Sequence, residues 1–341
     1  MAEDARRLVL DTLEFASPQR APRHVWDVAW TYQAHPAEIA ALKARFPEDI
    51  AWAPPLFLGP TGRQGDPYAV GWYTDEWGCR FENKFAGIIG EVKAPPVVGD
   101  DWEEMMALPP PDGILRLDTE AINAFCRAQG KFTVATTTVR LFERLQFLAG
   151  TEKTLIDLLL RPAGFDRAVD QVHAFFCEEL AAWAETAVDA LFVQDDWGTQ
   201  QSLLASPALF REIFKPRYRE YADIAHAHGK KLFMHSDGKL LDIMEDLVDI
   251  GVDALNSQIF VSGVENLAPY AGRITFWGEI DRQGLLPFGS LADIDAAVRL
   301  IRDTLWRDGG CIAQCDFGIG VKPENVLRVF EAWAALEAAA A

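Results

Sequence analysis

The stretch KKLFMHSDGKLLDIMEDLVDIGVDALNS, Lys230 to Ser257, ends an apolar run on His235, Ser236 and Asp237. A neutral imidazole and a carboxylate both ligate borderline divalent ions, and a histidine moves protons near neutral pH. A chain that only had to turn would use Gly, Asn or Pro. The arrangement recurs along the chain. DALFVQ runs into Asp195, Asp196 and Trp197, and VDALN into Asn256 and Gln258. RITFWG is followed by Glu279, Asp281 and Arg282, and GGCIAQ ends in Gln314, Cys315 and Asp316. Loops are polar in any protein, but five successive apolar runs ending on ligand-capable or acid–base side chains point to an enzyme or a binding barrel.

Each residue has a plainer use as well. His235 could be a hydrogen-bonded histidine on a rim, and Asp237 could simply cap the helix that KLLDIMEDL forms. Asp195 and Asp196 alternate across the strand direction, so only one of them faces a pocket while the other caps or pairs. Cys311 and Cys315 lie four apart and share a face, with Cys311 in the core and Cys315 at the strand end. The expectation is a metal site of His235, Asp237 and Cys315 suited to Zn2+. Asp195 or Asp196, Glu279, Asp281 and Gln314 are the expected catalytic groups. Asn256, Gln258, Trp72, Trp77, Trp197 and Trp277 are expected to line the substrate pocket, with ordinary packing as the alternative for each tryptophan.

Six apolar or β-branched runs, at 132–138, 189–194, 230–235, 252–257, 273–278 and 310–314, alternate with helical patterns. Ser206 and Gly229 suit the two ends of the helix between the second and third of these runs. Such alternation predicts a parallel sheet wrapped by helices. With no GxGxxG and this many βα units, a (β/α)8 TIM barrel is favoured over a doubly wound sheet. The prediction is a single domain over 1–341, with a Trp/Pro-rich, β-hairpin-containing excursion at about 50–112. In such a barrel the site lies at the strand C-termini, where the five polar runs fall.

The chain has 341 residues, a net charge of −19 and five scattered cysteines without a CxxC. That charge excludes a nucleic-acid or anionic-membrane partner and speaks against a polyanionic substrate. Free thiols and the absence of an apolar leader lead us to expect a cytoplasmic protein.

HSDG after a strand, then LVDIGVDALN, FWGEIDRQGLLPFGS and GGCIAQCDFGIGVKPENVLRVFEAW, resembles the uroporphyrinogen decarboxylase superfamily from about residue 70 to 335. TDEWGCRFEN…GIIGEVKAPP looks like its corrinoid-linked methyltransferase branch in particular. The resemblance implies a (β/α)8 barrel. True decarboxylases hold their carboxylate-laden tetrapyrrole with arginines in an RQAGRY-like stretch; here RHVWDVAWTYQAHPAEI lacks that pair, and Phe317 stands opposite their C-terminal histidine. The methyltransferases bind zinc through a His-x-Cys pair and a distant cysteine, which maps His235 and Asp237 onto the pair, with Asp replacing Cys, and Cys315 near the third ligand. That replacement makes the site harder. No DxHxxG segment is present, so a corrinoid would be carried by a separate protein.

Three functions remain open. The first is a zinc-dependent methyltransferase-like enzyme moving a methyl group between a small methylated compound and a corrinoid protein or a thiol. The second is a decarboxylase or lyase without metal. The third is a non-catalytic corrinoid- or tetrapyrrole-binding barrel, with 50–112 as its docking surface. The same aromatic-rich segment could form a homodimer contact.

Overall fold

The computed structural model describes residues 4–340 apart from 98, 100, 101 and 104–106. Eight strands form one parallel sheet: β1 Arg23–Asp27, β2 Ile50–Ala53, β6 Phe132–Ala135, β7 Ala190–Gln194, β8 Lys231–Ser236, β9 Ala254–Ser257, β10 Thr275–Trp277 and β11 Cys311–Phe317. Their order is β1-β11-β10-β9-β8-β7-β6-β2, and every adjacent pair is parallel. Sequential order with helical crossovers curls the sheet into a nearly closed α/β barrel, as expected. Two of its strands, β1 and β2, lie outside the six runs read as strands. β2 therefore belongs to the barrel, and the excursion begins after it. Within the excursion, β3 Gly71–Thr74, β4 Arg80–Asn83 and β5 Glu91–Ala94 make a separate antiparallel sheet.

No ladder joins β1 to β2, and Asp49 bridges that seam. Its backbone N–H donates to Arg23 O at 2.9 Å, while its carboxylate accepts from Arg23 N at 2.7 Å and from both ends of the Arg20 guanidinium. Asp189 and Asp253 do the same before β7 and β9, accepting from Thr133 N and Leu232 N at 2.8 Å each. An aspartate just ahead of a strand thus satisfies the leading N–H of its neighbour, a group otherwise left without a partner.

Alternation sorts each strand into two layers. Ile50, Phe132, Val134, Ala190, Phe192, Phe233, Ala254, Trp277 and Ile312 fill the lumen, with Trp26 and Trp52 packed on them. Val25, Leu191, Val193, Leu232, Met234, Leu255, Phe276, Cys311, Ala313, Cys315 and Phe317 face the helices. Among the described residues no helix is long and apolar enough to cross a membrane.

Candidate active site

The lumen parity that puts Phe192, Phe233, Ala254 and Ile312 inside carries on, two residues at a time, to Gln194 and Asp196, His235, Asn256, and Gln314 and Asp316, while Glu279, beyond the positive-φ Gly278, joins them through Arg282. These are the residues at the C-terminal mouth. The loops after β7 and β8 cross there at Gly198 and Gly238. A Cβ on Gly238, whose φ is +82°, would stand 2.2 Å from the Gly198 carbonyl carbon, and one on Gly198 would come within 2.6 Å of Lys239 N. Gly198 N–H donates to Asp237 O at 3.0 Å, and Asp237 N–H donates to Asp196 Oδ1 at 2.9 Å. The glycine of HSDG is thus required by close backbone approach, which in turn brings Asp237 beside Asp196.

His235 is buried. Asn256 fixes its tautomer: the amide NH2 donates to Trp277 O at 2.6 Å, which leaves Oδ1 to accept from His235 Nδ1–H at 2.7 Å. The Nε2 lone pair then points to Asp196 Oδ1 at 3.4 Å and Asp237 Oδ1 at 3.7 Å. Four donors held at about 2.1 Å on a tetrahedron lie roughly 3.4 Å apart, so this spacing suits a divalent ion between them. Asp237 Oδ1 is buried without a hydrogen-bond partner, while Arg282 holds the other oxygen of that carboxylate. One nitrogen and two carboxylate oxygens fit a borderline to hard divalent ion, Zn2+ included. Asp196, His235 and Asp237 are the residues able to hold it.

Around this triad the charges are unbalanced. Glu279 is 1% exposed, pairs with Arg282 Nε at 3.3 Å through Oε1, and has no partner for Oε2. Burial pushes its carboxyl up to about 8, against the pull of Arg282. Burial also raises Asp316 to about 6, and it raises Glu143, where Arg140 at 3.8 Å pulls the other way. Gln314 is 1% exposed, and neither atom of its amide has a partner. The floor is aromatic. Trp26 stacks on Trp277 at 5.7 Å and meets the His235 ring edge-on at 4.7 Å, and Trp52 lies 5.7 Å from Trp277. Beneath them, neutral His24 accepts from Trp277 Nε1–H at 3.1 Å, and burial lowers its proton affinity.

Several expected site residues lie elsewhere. Cys315 shares the helix-facing side of β11 with Cys311, and burial drives its thiol well above its ordinary value. Its thiol does not join His235 and Asp237, and Asp196 stands beside them instead. Asp195 also points outward, accepting from Phe142 N at 2.6 Å, Glu143 N at 2.7 Å and the Tyr218 hydroxyl at 2.5 Å. It caps the helix Leu141–Ala149 instead of facing the pocket. Trp197, next to Asp196, is buried between Phe142, Phe210 and Phe214 in the outer layer. Trp77 packs on Phe175 and Phe176, and Trp72 lies half-exposed on β3 under Arg80. Asp281 closes its own loop by accepting from Gln283 N and Gly284 N at 2.9 Å. Gln258 ties the rim together through Gln200 Nε2 and Gly238 N. Of the four tryptophans expected in the pocket wall, Trp277 alone lies in the lumen.

Trp26, Trp52 and Glu143 reach the site without having been assigned to it. The first two required β1 and β2 to be recognised as strands. Glu143 arrives on a helix from a distant loop, and nothing in its local sequence signals that.

A second group, His173, Cys177 and Glu220, also brings donor atoms together. Both ring nitrogens of His173 are engaged, with Tyr221 at 3.1 Å and Glu220 at 2.8 Å. The Cys177 sulfur stands 3.7 and 3.8 Å from the two nitrogens, a position over the ring. The trio fastens two helices together.

The family model of uroporphyrinogen decarboxylase (URO-D) matches residues 75–336. A methyltransferase from Methanosarcina mazei superposes with a TM-score of 0.71 at 15% identity, covering 98% of this chain and 99% of that one. A glycosylated endo-β-1,4-xylanase from Gloeophyllum trabeum gives a TM-score of 0.47 at 10% identity, over 94% of this chain and 98% of the other. Curated protein sequences give no match. At 15% identity the methyltransferase structure speaks for the fold alone, and the family match covers well over half of the residues. The chain belongs to the uroporphyrinogen decarboxylase (URO-D) family.

Proposed function

We propose that this protein is a metal-dependent methyltransferase that moves a methyl group from a small methylated compound to a thiol or to a corrinoid carried by another protein. The observation that carries the reading is the convergence of His235 Nε2 with one oxygen each of Asp196 and Asp237, at ion-ligand spacing and with the lone pair aimed by Asn256. A divalent ion there, Zn2+ by the family resemblance, would supply a Lewis acid that activates the acceptor or polarises the donor.

The remaining chemistry belongs to the chain. Glu279 holds a proton near neutral pH on a carboxyl whose Oε2 is free, so it exchanges that proton with the reacting heteroatom. Arg282 bridges Glu279 and Asp237 and fixes their relative positions. The indoles of Trp26, Trp52 and Trp277 wall the floor and keep water from the transferred methyl group. A metal-free decarboxylase would need a free cation for the substrate's carboxylate, and Arg282 and Arg140 are both engaged already.

The test is single-turnover transfer from methylcobalamin to a thiol, or the reverse from a methyl donor to cob(I)alamin, with and without chelator. Spectral conversion of the corrin that depends on metal supports the reading. Carbon dioxide release from a carboxylated substrate with no corrin change would replace it.

A further inference from the structure

We infer that the barrel mouth takes a small positively charged methyl donor, a quaternary ammonium or sulfonium, seated over the indoles of Trp26 and Trp52 and against the carboxylate of Asp316. This rests on the methyl-transfer reading and names the donor class for it.

The floor and the rim point to the same ligand. Trp26 and Trp52 belong to the lumen layer yet are only half-buried, so their remaining exposure opens at the mouth. Trp26 is the register partner of Asp316 across the β1–β11 ladder, which sets an indole beside a carboxylate on the same face. Trp277 stacks on Trp26, which carries the indole layer across the floor. Indole faces flanked by carboxylates recognise methylated onium ions, through attraction to the ring quadrupole and to the counter-charge.

Some polar atoms around this floor lack partners. Glu279 Oε2 and the whole Gln314 amide are buried and unpartnered, a state that calls for an ordered water, an ion or a ligand. Both guanidiniums near the mouth are in use: Arg282 pairs with Asp237 and Glu279, and Arg140 with Glu143 and the Gln194 side chain. Neither guanidinium is free to receive an anionic substrate. The Asp316 carboxylate beside Trp26 then stands as the counter-charge for a bound monocation.

The donor class also gives a balanced transfer. The bond from methyl carbon to nitrogen or sulfur breaks, and its electron pair stays on the heteroatom as a neutral amine or sulfide. The acceptor, a thiolate or a cob(I) corrinoid, supplies the pair for the new bond to carbon.

The experiment compares choline with its uncharged isostere 3,3-dimethylbutan-1-ol by calorimetric titration of the metal-loaded full chain. Choline should bind at least about tenfold tighter than the isostere. Trp52→Leu and Asp316→Asn should each weaken choline by about tenfold, and Asp316→Asn should leave the isostere unchanged. Circular dichroism of both variants separates lost binding from lost folding, and Asp316→Asn keeps the test alive should Trp52→Leu fail to fold. Equal binding of the two probes, or no binding of either, overturns the onium site. Choline binding without any methyl transfer keeps the site and sinks the transfer reading. Transfer from a neutral methoxy donor without choline binding does the reverse.

Discussion

His235 Nδ1 donates to Asn256 Oδ1 at 2.7 Å, and the same amide is anchored from its other end by Trp277 O at 2.6 Å. This pair sets which imidazole nitrogen carries the lone pair. Asn256, expected from the sequence as a substrate contact, is a positioning residue. Asn256→Ala should therefore lower metal affinity by about 10- to 100-fold, the usual effect of removing the partner that orients a ligating histidine. Competition with a chromophoric chelator measures it, and unchanged affinity would mean that the amide does not orient the ring.

The two neighbouring aspartates should behave in opposite ways. Asp195→Ala removes the acceptor of three buried hydrogen bonds and should cost about 3 kcal/mol of stability, while metal content is retained. Asp196→Ala should lose the metal with little loss of stability. Urea denaturation together with elemental analysis of both variants checks the pair. Equal metal loss in both would contradict the assignment of faces.

Cys315→Ser probes the layer in which that side chain lies. The thiol sits in a dry layer between β11 and the helices, so a hydroxyl there should destabilise by about 1–2 kcal/mol and leave metal content and activity unchanged. Loss of metal with the fold intact would restore the cysteine as a ligand.

Glu279 gives activity and stability the same pH direction. Its folded carboxyl titrates at about 8, whereas an unfolded glutamate titrates near about 4.3. Between those values the folded chain holds the extra proton, so this residue's contribution to stability falls as pH rises through the window. A step that uses the protonated carboxyl should likewise decline as pH passes about 8. Glu279→Gln, permanently neutral, should lower the rate, flatten that alkaline limb and stabilise the fold at high pH. An unchanged limb in this variant would assign the titration to another group.

The legible parts of the sequence were those in which an apolar run met a polar end. β7 to β11 are continuous apolar runs and were visible as strands. β1 and β2 are short and interrupted by His24, Trp26 and Trp52, which fill the lumen, so they did not read as buried strands. His235 and Glu279 were visible at the ends of their runs, whereas phase showed only that one of Asp195 and Asp196 faces the pocket. The errors came from phase as well. Trp197 is one residue past Asp196 and must face the other way. Cys315 is four residues from Cys311, so the core position given to one carried the other with it. Asp195 as a cap could not be identified until the helix at 141–149 was placed against it. Gly198 and Gly238 gain their meaning only from the crossing of two loops.

The central claim is a divalent ion held by Asp196, His235 and Asp237, and elemental analysis of the natively purified chain tests it most directly. The expected result is one equivalent of metal per chain, falling to near zero in His235→Ala and in Asp196→Ala and unchanged in Cys315→Ser. Wild-type protein without stoichiometric metal, and with activity indifferent to chelator, would contradict it.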